Sequence, residues 1–272
     1  MNRSFEIITA NSNPKVKMLN KLNKDSKFRR ERAVFIVEGI RMFREIPADS
    51  VKEIYMSESA YAEYQDEDDL QELYKSAEVT VMSDSVFAGV SQTKTPQGCM
   101  AVVRCINYDM NDIVGTDDEE TYLILDTIQD PGNMGTIFRS AEAAGVKAVV
   151  IGPGSCDPYN PKAVRSTMGA IFRVPFFQSD DLTDTIDALK QKNVVIYGAH
   201  LDGEDLYDTV FAKRIAFLIG NEGNGLSAEV ADTADRLLRI PMEGRVESLN
   251  AAISATLLSY EAMRQRRNAR QN

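Results

Sequence analysis

The chain has 272 residues, long for one compact domain, so two are expected. Its composition is that of an ordinary globular protein, with 43% hydrophobic and 26% charged residues. Cys99, Cys105 and Cys156 have no C-x-x-C spacing, which argues against a disulfide framework or a zinc site. No run reaches the length of a membrane span and MNRSFEIITANSNPK lacks a signal-peptide core, so a cytosolic protein is expected. The net charge of −10 argues against a polyanionic partner as a sum, but distribution matters more.

In the first hundred residues the pattern alternates between helix and strand. Lys15–Asn23 suits a helix, Ala33–Val37 a strand, Gly39–Ile46 a helix, Lys52–Met56 and Val79–Met82 strands, and Gln97–Cys105 a closing strand. Lys15, Lys17, Lys21, Lys24, Lys27, Arg29, Arg30 and Arg32 crowd Pro14–Arg32 against only Asp25 and Glu31. A basic stretch kept in an acidic chain favours phosphate contact over a plain solvated face, with Lys21, Lys24, Arg29 and Arg30 as the candidates for that contact. Arg264, Arg266, Arg267 and Arg270 add a basic tail. Gln92–Gln97 is polar and turn-prone, a loop facing a phosphate-bearing partner or an ordinary surface turn. Tyr108–Glu120 lacks periodicity and gathers acid, which marks a linker.

From Thr121 apolar runs of strand length recur at Tyr122–Ile128, Ala148–Gly152, Val194–Ala199, Ile215–Gly220 and Leu237–Pro241. Helical stretches fall between and after them at Met134–Ala144, Pro161–Thr167, Leu182–Lys192, Ser227–Ala234 and Leu249–Arg267. Buried strands separated by helices predict an α/β parallel sheet covered on both faces.

Three segments carry chemistry. In LILDTIQDPGNMGTIFRSAEAAG an apolar run ends at Asp126, and a turn leads into a helix bearing Asn133, Gly135 and Arg139. In FLIGNEGNGLS, Gly220, Gly223 and Gly225 surround Glu222. In RVESLNAAISATLLSYE, Ser248 stands at the expected N-cap and Asn250 in the first turn of a small-residue helix. Competing readings are weaker. GPGSCDP lacks the third glycine of a dinucleotide fingerprint, no Walker lysine follows a glycine loop, no ligand cluster points to a metal, and His200 alone does not make a triad.

These segments, in this order, resemble the three motifs of the SpoU (TrmH-like) RNA ribose 2′-O-methyltransferases of the SPOUT superfamily. The likeness spans about Thr121–Arg267 and rests on N-x-G-x-x-x-R, G-x-E-x-x-G-L and P-M…E-S-L-N. It implies a C-terminal parallel-sheet α/β domain (121–272) with a deep trefoil knot. It also implies a linker (108–120) and a small N-terminal α/β, L30e-like RNA-binding domain (1–107), which VEGIRMFREI and VSQTKTPQGCMAVV resemble more weakly. The implied reaction moves a methyl group from S-adenosylmethionine to a ribose 2′-hydroxyl of structured RNA, 23S ribosomal RNA before transfer RNA, with the enzyme a cytoplasmic homodimer through its C-terminal domain.

Carried over by motif, Ala199, Ile219, Gly220, Ile240, Met242 and Leu249 would hold the donor, although Ile219, Ile240 and Leu249 also suit plain core packing. Asn133, Arg139, Glu222, Ser248 and Asn250 match the polar catalytic positions. Arg139 would act as general base or as stabiliser of the developing 2′-alkoxide. A charged guanidinium has no acceptor, which favours the second role; an ion pair with Glu142 is the plain alternative. Ser248 and Asn250 would cap the helix, touch the target nucleotide, or both. A non-catalytic RNA-binding or assembly factor on the same fold is the rival from another class, and a small-molecule methyltransferase is a third reading.

Overall fold

The computed structural model describes residues 7–115 and 117–271. The chain divides into two compact units, Met1–Ile106 with Asp157–Phe172, and Asn107–Cys156 with Arg173–Asn272.

The first unit opens with α1 (Pro14–Lys24), capped by Asn13, whose side chain accepts from the Lys15 amide, with proline at the first helical position. Asp25 ends α1 and caps α2 (Ser26–Arg32). Then follow β1 (Val34–Glu38), α3 (Ile40–Phe43), β2 (Val51–Ser57), α4 (Glu58–Tyr64), α5 (Gln71–Ser76), β3 (Glu78–Met82), α6 (Asp84–Val90) and β4 (Cys99–Arg104). The strands form one sheet in the order β1-β4-β2-β3, with β4 antiparallel to both neighbours and β2 parallel to β3. Leu19, Leu22, Tyr55, Phe87 and Met100 belong to the core on one face. The helices α2, α4, α5 and α6 escape the sequence reading, because at six or seven residues they are too short to show a helical period.

The stretch read as a linker contains a one-turn helix, α7 (Met110–Ile113), closed by a reciprocal capping box between Asp109 and Asp112 and anchored by buried Ile113; its Thr116 lies outside the described residues. Next come β5 (Glu120–Leu125), α8 (Pro131–Ala144) and β6 (Ala148–Ile151).

The chain then contributes to the first unit. Helix α9 (Pro161–Thr167) packs against β1. The Phe35 ring lies 4.6 Å from Tyr159 and 6.1 Å from Phe172.

Back in the second unit are β7 (Phe176–Gln178), α10 (Leu182–Gln191), β8 (Val195–Asp205), β9 (Arg214–Ile219), α11 (Ala228–Asp232), β10 (Arg236–Arg239) and α12 (Ala251–Ala269). Six strands pair in parallel in the order β10-β8-β9-β5-β6-β7, as the buried apolar runs imply. Three-residue β7 is the strand too short to be read in advance. Helices α8 and α12 pack together.

One irregularity matters for the site. Along β10, adjacent Leu237 and Leu238 pair with Gly198 and Glu204 of β8, so the ladder skips Ala199–Gly203. Gly203 permits this, since a Cβ there would lie 2.5 Å from backbone atoms of Leu238. No helix among the described residues is long and apolar enough to cross a membrane.

Candidate active site

The loop after β9 is built by its own backbone. Asn221 and Gly225 exchange amide hydrogen bonds of 2.8 and 3.0 Å, and Gly225 has φ +70°. The Asn221 side chain accepts from the amides of Gly223 and Asn224 and donates to the Thr127 carbonyl at 2.8 Å. Gly220 must be glycine because a Cβ would come within 2.1–2.5 Å of the Gly225 and Leu226 backbone. The sequence reading attributes this glycine to close approach of a ligand; the approach seen is that of its own loop. Buried Asp126, at the end of the β5 run, accepts from the Ser227 amide at 2.7 Å and ties this loop to the sheet.

Glu222 lies at the centre of the polar network. Its carboxylate accepts from the amides of Gln129 (3.1 Å) and Asp130 (3.0 Å) and from Asn133 Nδ2 (2.9 Å). Partial desolvation pushes its pKa upward, but the bonds from Asn133 and from backbone amides outweigh it and hold the carboxyl below its ordinary value. Asn133 Oδ1 in turn accepts from Asn250 Nδ2 at 2.9 Å. One continuous chain thus links a polar residue from each of the three motifs, Asn250, Asn133 and Glu222.

Asn250 caps α12: its Oδ1 accepts from the amides of Ala252 and Ile253 at 2.9 and 3.3 Å. This corrects the expected cap at Ser248 and the expected helix start at Leu249, since the helix begins at Ala251 and exposed Ser248 lies two residues before its cap. The alternation of serine and asparagine left two possible caps, and the geometry selects the one whose neighbour in space is Asn133.

Arg139 projects from α8, exposed, with no hydrogen bond or ion pair among the described residues. The anticipated ion pair with Glu142 is not formed; Arg173 binds Glu142 instead, with Nη2 3.1 Å from Oε2. The Arg139 guanidinium is therefore available to an anion.

Beside this network is a cavity of about 330 Å³. Its lining includes all six donor candidates, Ala199, Ile219, Gly220, Ile240, Met242 and Leu249, together with Glu222 and Ser248. Asn133, Arg139 and Asn250 are not in that lining. Sequence reasoning missed His200, Leu201, Asn224, Arg239, Glu247 and Ser254 as lining residues. For His200 and Leu201 the signal is the skipped ladder, which only pairing reveals. Another cavity, of about 380 Å³ beside Val210, Phe211 and Gln265, holds none of the motif residues. Among the described residues no group of three or more His, Cys, Asp or Glu side chains could hold a metal ion.

In the first unit Lys21, Lys24 and Arg30 are exposed, and Lys21 and Arg32 stack on Phe28 at 4.2 and 4.8 Å. Arg29 departs from the expectation. It is 3% exposed, its Nε and Nη2 bond Asp157 at 3.0 and 2.6 Å, and its Nη1 bonds the Leu22 carbonyl at 2.6 Å. A buried, fully engaged guanidinium is a structural tie and not a phosphate contact. The tail arginines are also partly committed, Arg264 to Glu261 and Arg270 to Glu119.

Residues 120–260 match the model of the SpoU rRNA Methylase family, and residues 13–101 match that of the MRM3-like substrate binding domain. The chain is 33% identical over 256 residues to the 23S rRNA (guanosine(2553)-2′-O)-methyltransferase RlmP of Bacillus subtilis, covering 93% of this chain and 97% of that one. Among solved structures, the SpoU methyltransferase AviRb of Streptomyces viridochromogenes, crystallised with the cofactor AdoMet, superposes with TM-score 0.82 at 27% identity, covering 93% of this chain and 98% of that one. The AdoMet-bound rRNA methyltransferase of Sinorhizobium meliloti gives 0.83 at 28% identity, with 96% and 98% covered.

Proposed function

This chain belongs to the SpoU rRNA methylase family, and on that premise we propose that it transfers a methyl group from S-adenosylmethionine to a ribose 2′-hydroxyl of 23S ribosomal RNA. The observation that carries this reading is the chain Asn250–Asn133–Glu222 standing beside a cavity lined by all six donor candidates.

The cavity suits the donor. Its volume of about 330 Å³ is in the range of small-molecule sites, roughly 300–1,000 Å³. Ile219, Ile240 and Leu249 offer apolar walls for an adenine, and the loop backbone at Gly220–Gly225 offers amides and carbonyls. When bound, S-adenosylmethionine supplies an electrophilic methyl on a sulfonium. The protein's work is orientation. Glu222 and Asn133 fix the loop after β9 against the start of α8, and Asn250 fixes the start of α12 to the same point. Arg139, exposed and unpaired among the described residues, binds RNA phosphate and stabilises negative charge as the 2′-oxygen loses its proton.

The finer features follow the family. The second unit's sheet carries the trefoil knot, with 121–272 as the methyltransferase domain, of which Asp157–Phe172 packs into the first unit, 108–120 as the linker and 1–107 as an L30e-like RNA-binding domain. Exposed Lys21, Lys24 and Arg30 support RNA contact by that domain. The enzyme is a homodimer through its C-terminal domain; exposed Ile253 and Tyr260, seven residues apart on α12, support a covered face there. It works in the cytoplasm, where ribosomal RNA is modified.

The test is transfer of labelled methyl to 23S ribosomal RNA transcribed in vitro, with transfer RNA as the second substrate, followed by mapping of the methylated ribose. Label at one 2′-oxygen of ribosomal RNA is expected. Donor binding with no label in either RNA overturns the reading in favour of a non-catalytic RNA-binding factor.

A further inference from the structure

Glu38 is 5% exposed at the end of β1, and its buried charge is met by the loop that joins α6 to β4. Ser91 Oγ and Thr93 Oγ1 (3.1 Å) donate to its Oε1, and the Gln92 amide donates to Oε2 at 3.2 Å. The other end of that loop is also fixed. The Gln97 side chain accepts from the Ile40 amide at 3.2 Å, and the Gly98 carbonyl from the Ser57 amide at 2.8 Å. Gly98 has φ +74°, and a Cβ there would strike Ala60 and Ser57 within 2.5 Å. Between these anchors Lys94, Thr95 and Pro96 are exposed, and no acidic residue lies between Ser91 and Gly98.

A second charge completes the arrangement. Arg165, on α9, places Nη1 3.7 Å from Glu38 Oε2. That nitrogen is buried and has no hydrogen-bond partner among the described residues. It serves the carboxylate through charge alone. Arg165 comes from the Asp157–Phe172 insertion, whose sequence falls within the stretch matching the methylase model.

We propose that Gln92–Gln97 is a preorganised RNA-reading loop, that Glu38 is its positioning residue, and that Arg165 holds the Glu38 carboxylate in place. The occupant is RNA with unpaired bases: a loop with amide, hydroxyl and ammonium groups and no carboxylate suits base edges and phosphate together. Fixing the loop before binding removes an ordering cost that RNA affinity would otherwise bear. This inference rests on the chain acting on RNA.

The test compares wild type with Lys94→Ala, Thr93→Val and Glu38→Gln, using 23S ribosomal RNA transcribed in vitro and labelled donor. Lys94→Ala removes a direct contact; RNA KM should rise and its salt dependence should weaken. Thr93→Val and Glu38→Gln loosen the loop, and RNA KM should rise roughly tenfold, as loss of hydrogen bonds to a charged group predicts. The rate at saturating RNA and the donor Kd should hold, as a purely structural lesion would not allow. Thr93→Val leaves the buried charge intact, so it decides the matter if Glu38→Gln does not fold. RNA KM within twofold of wild type for folded Thr93→Val and for Lys94→Ala overturns the proposal. No methylation of either RNA by the wild-type protein overturns the underlying reading instead.

Discussion

Asn133 and Asn250 meet side chain to side chain, the Asn250 amide nitrogen 2.9 Å from Asn133 Oδ1, across 117 positions of sequence. Each amide also has a second partner. Asn133 donates to Glu222, while Asn250 Oδ1 caps α12. The pair fixes both amide orientations: Asn133 must present oxygen to Asn250 and nitrogen to Glu222. It joins the starts of the two packed helices, α8 and α12. A donor held between the β9 loop and the α12 start would therefore share its frame with Arg139.

Arg139 provides the sharpest separation of catalysis from binding. Arg139→Ala should slow single-turnover methylation roughly a hundred- to a thousandfold, as expected of a transition-state charge stabiliser. Donor affinity should hold, because Arg139 does not line the cavity. Arg139→Lys should also be slow, since an ammonium lacks the planar fork. Rapid-quench assays with saturating protein check this; near-normal turnover by the alanine variant returns Arg139 to the helix surface.

Gly220 and Gly223 should respond differently to alanine. At Gly220 the added methyl collides with the Gly225–Leu226 backbone, so Gly220→Ala should cost about 1–3 kcal/mol and weaken donor binding together. At Gly223 the nearest atom to a Cβ is Asn221 Oδ1 at 3.6 Å, an ordinary separation, and Gly223→Ala should keep its stability. Thermal melts and calorimetry of the two variants decide; equal destabilisation would refute the steric account.

Glu222 should make stability fall in acid. Its folded pKa lies below the ordinary 4.5 because of the bonds from Asn133 and the backbone amides. Its contribution is thus fully present above about pH 4.5 and is lost as pH falls through the depressed folded value. Urea unfolding of wild type and Glu222→Gln across this range measures it. The wild-type advantage should shrink toward low pH, and an advantage constant with pH would contradict the hydrogen-bond origin.

The basic segment divides into two classes. Lys21→Ala, Lys24→Ala and Arg30→Ala together should weaken RNA binding without destabilising the fold. The salt slope should flatten by about 0.7–0.9 for each phosphate that is no longer neutralised. Arg29→Ala should instead destabilise by about 3–5 kcal/mol, because it leaves Asp157 without its partner. Filter binding over a salt series and denaturant melts check both. A stable Arg29→Ala protein with only weakened RNA binding would restore Arg29 to the RNA face.

Much of this architecture was legible because it rests on local patterns. The runs at Tyr122, Ala148 and Ile215 are apolar on both faces, and only a covered parallel strand needs that. Asn133, Glu222 and Asn250 carry motif spacing, and they do converge. What spacing could not convey was which atom meets which. Ser248 and Asn250 are both good caps, and only the position of Asn133 distinguishes them. Arg29 and Arg30 are adjacent and identical in type, yet the helical turn sends one into the core and the other to solvent.

The sequence by itself determined the strand and helix alternation, the family motifs and the apolar character of the donor walls, since each depends on residue type and near-neighbour period. Tertiary structure alone decided the rest. It folded Asp157–Phe172 into the first unit, where half-buried Asp157 and Arg165 meet charges more than a hundred residues earlier in the chain. It also opened the β8–β10 ladder at Ala199–Gly203, which brings His200 and Leu201 to the cavity. Both are pairings between distant segments, and a pairing of this kind is set by which surfaces remain to be buried once every local element has formed.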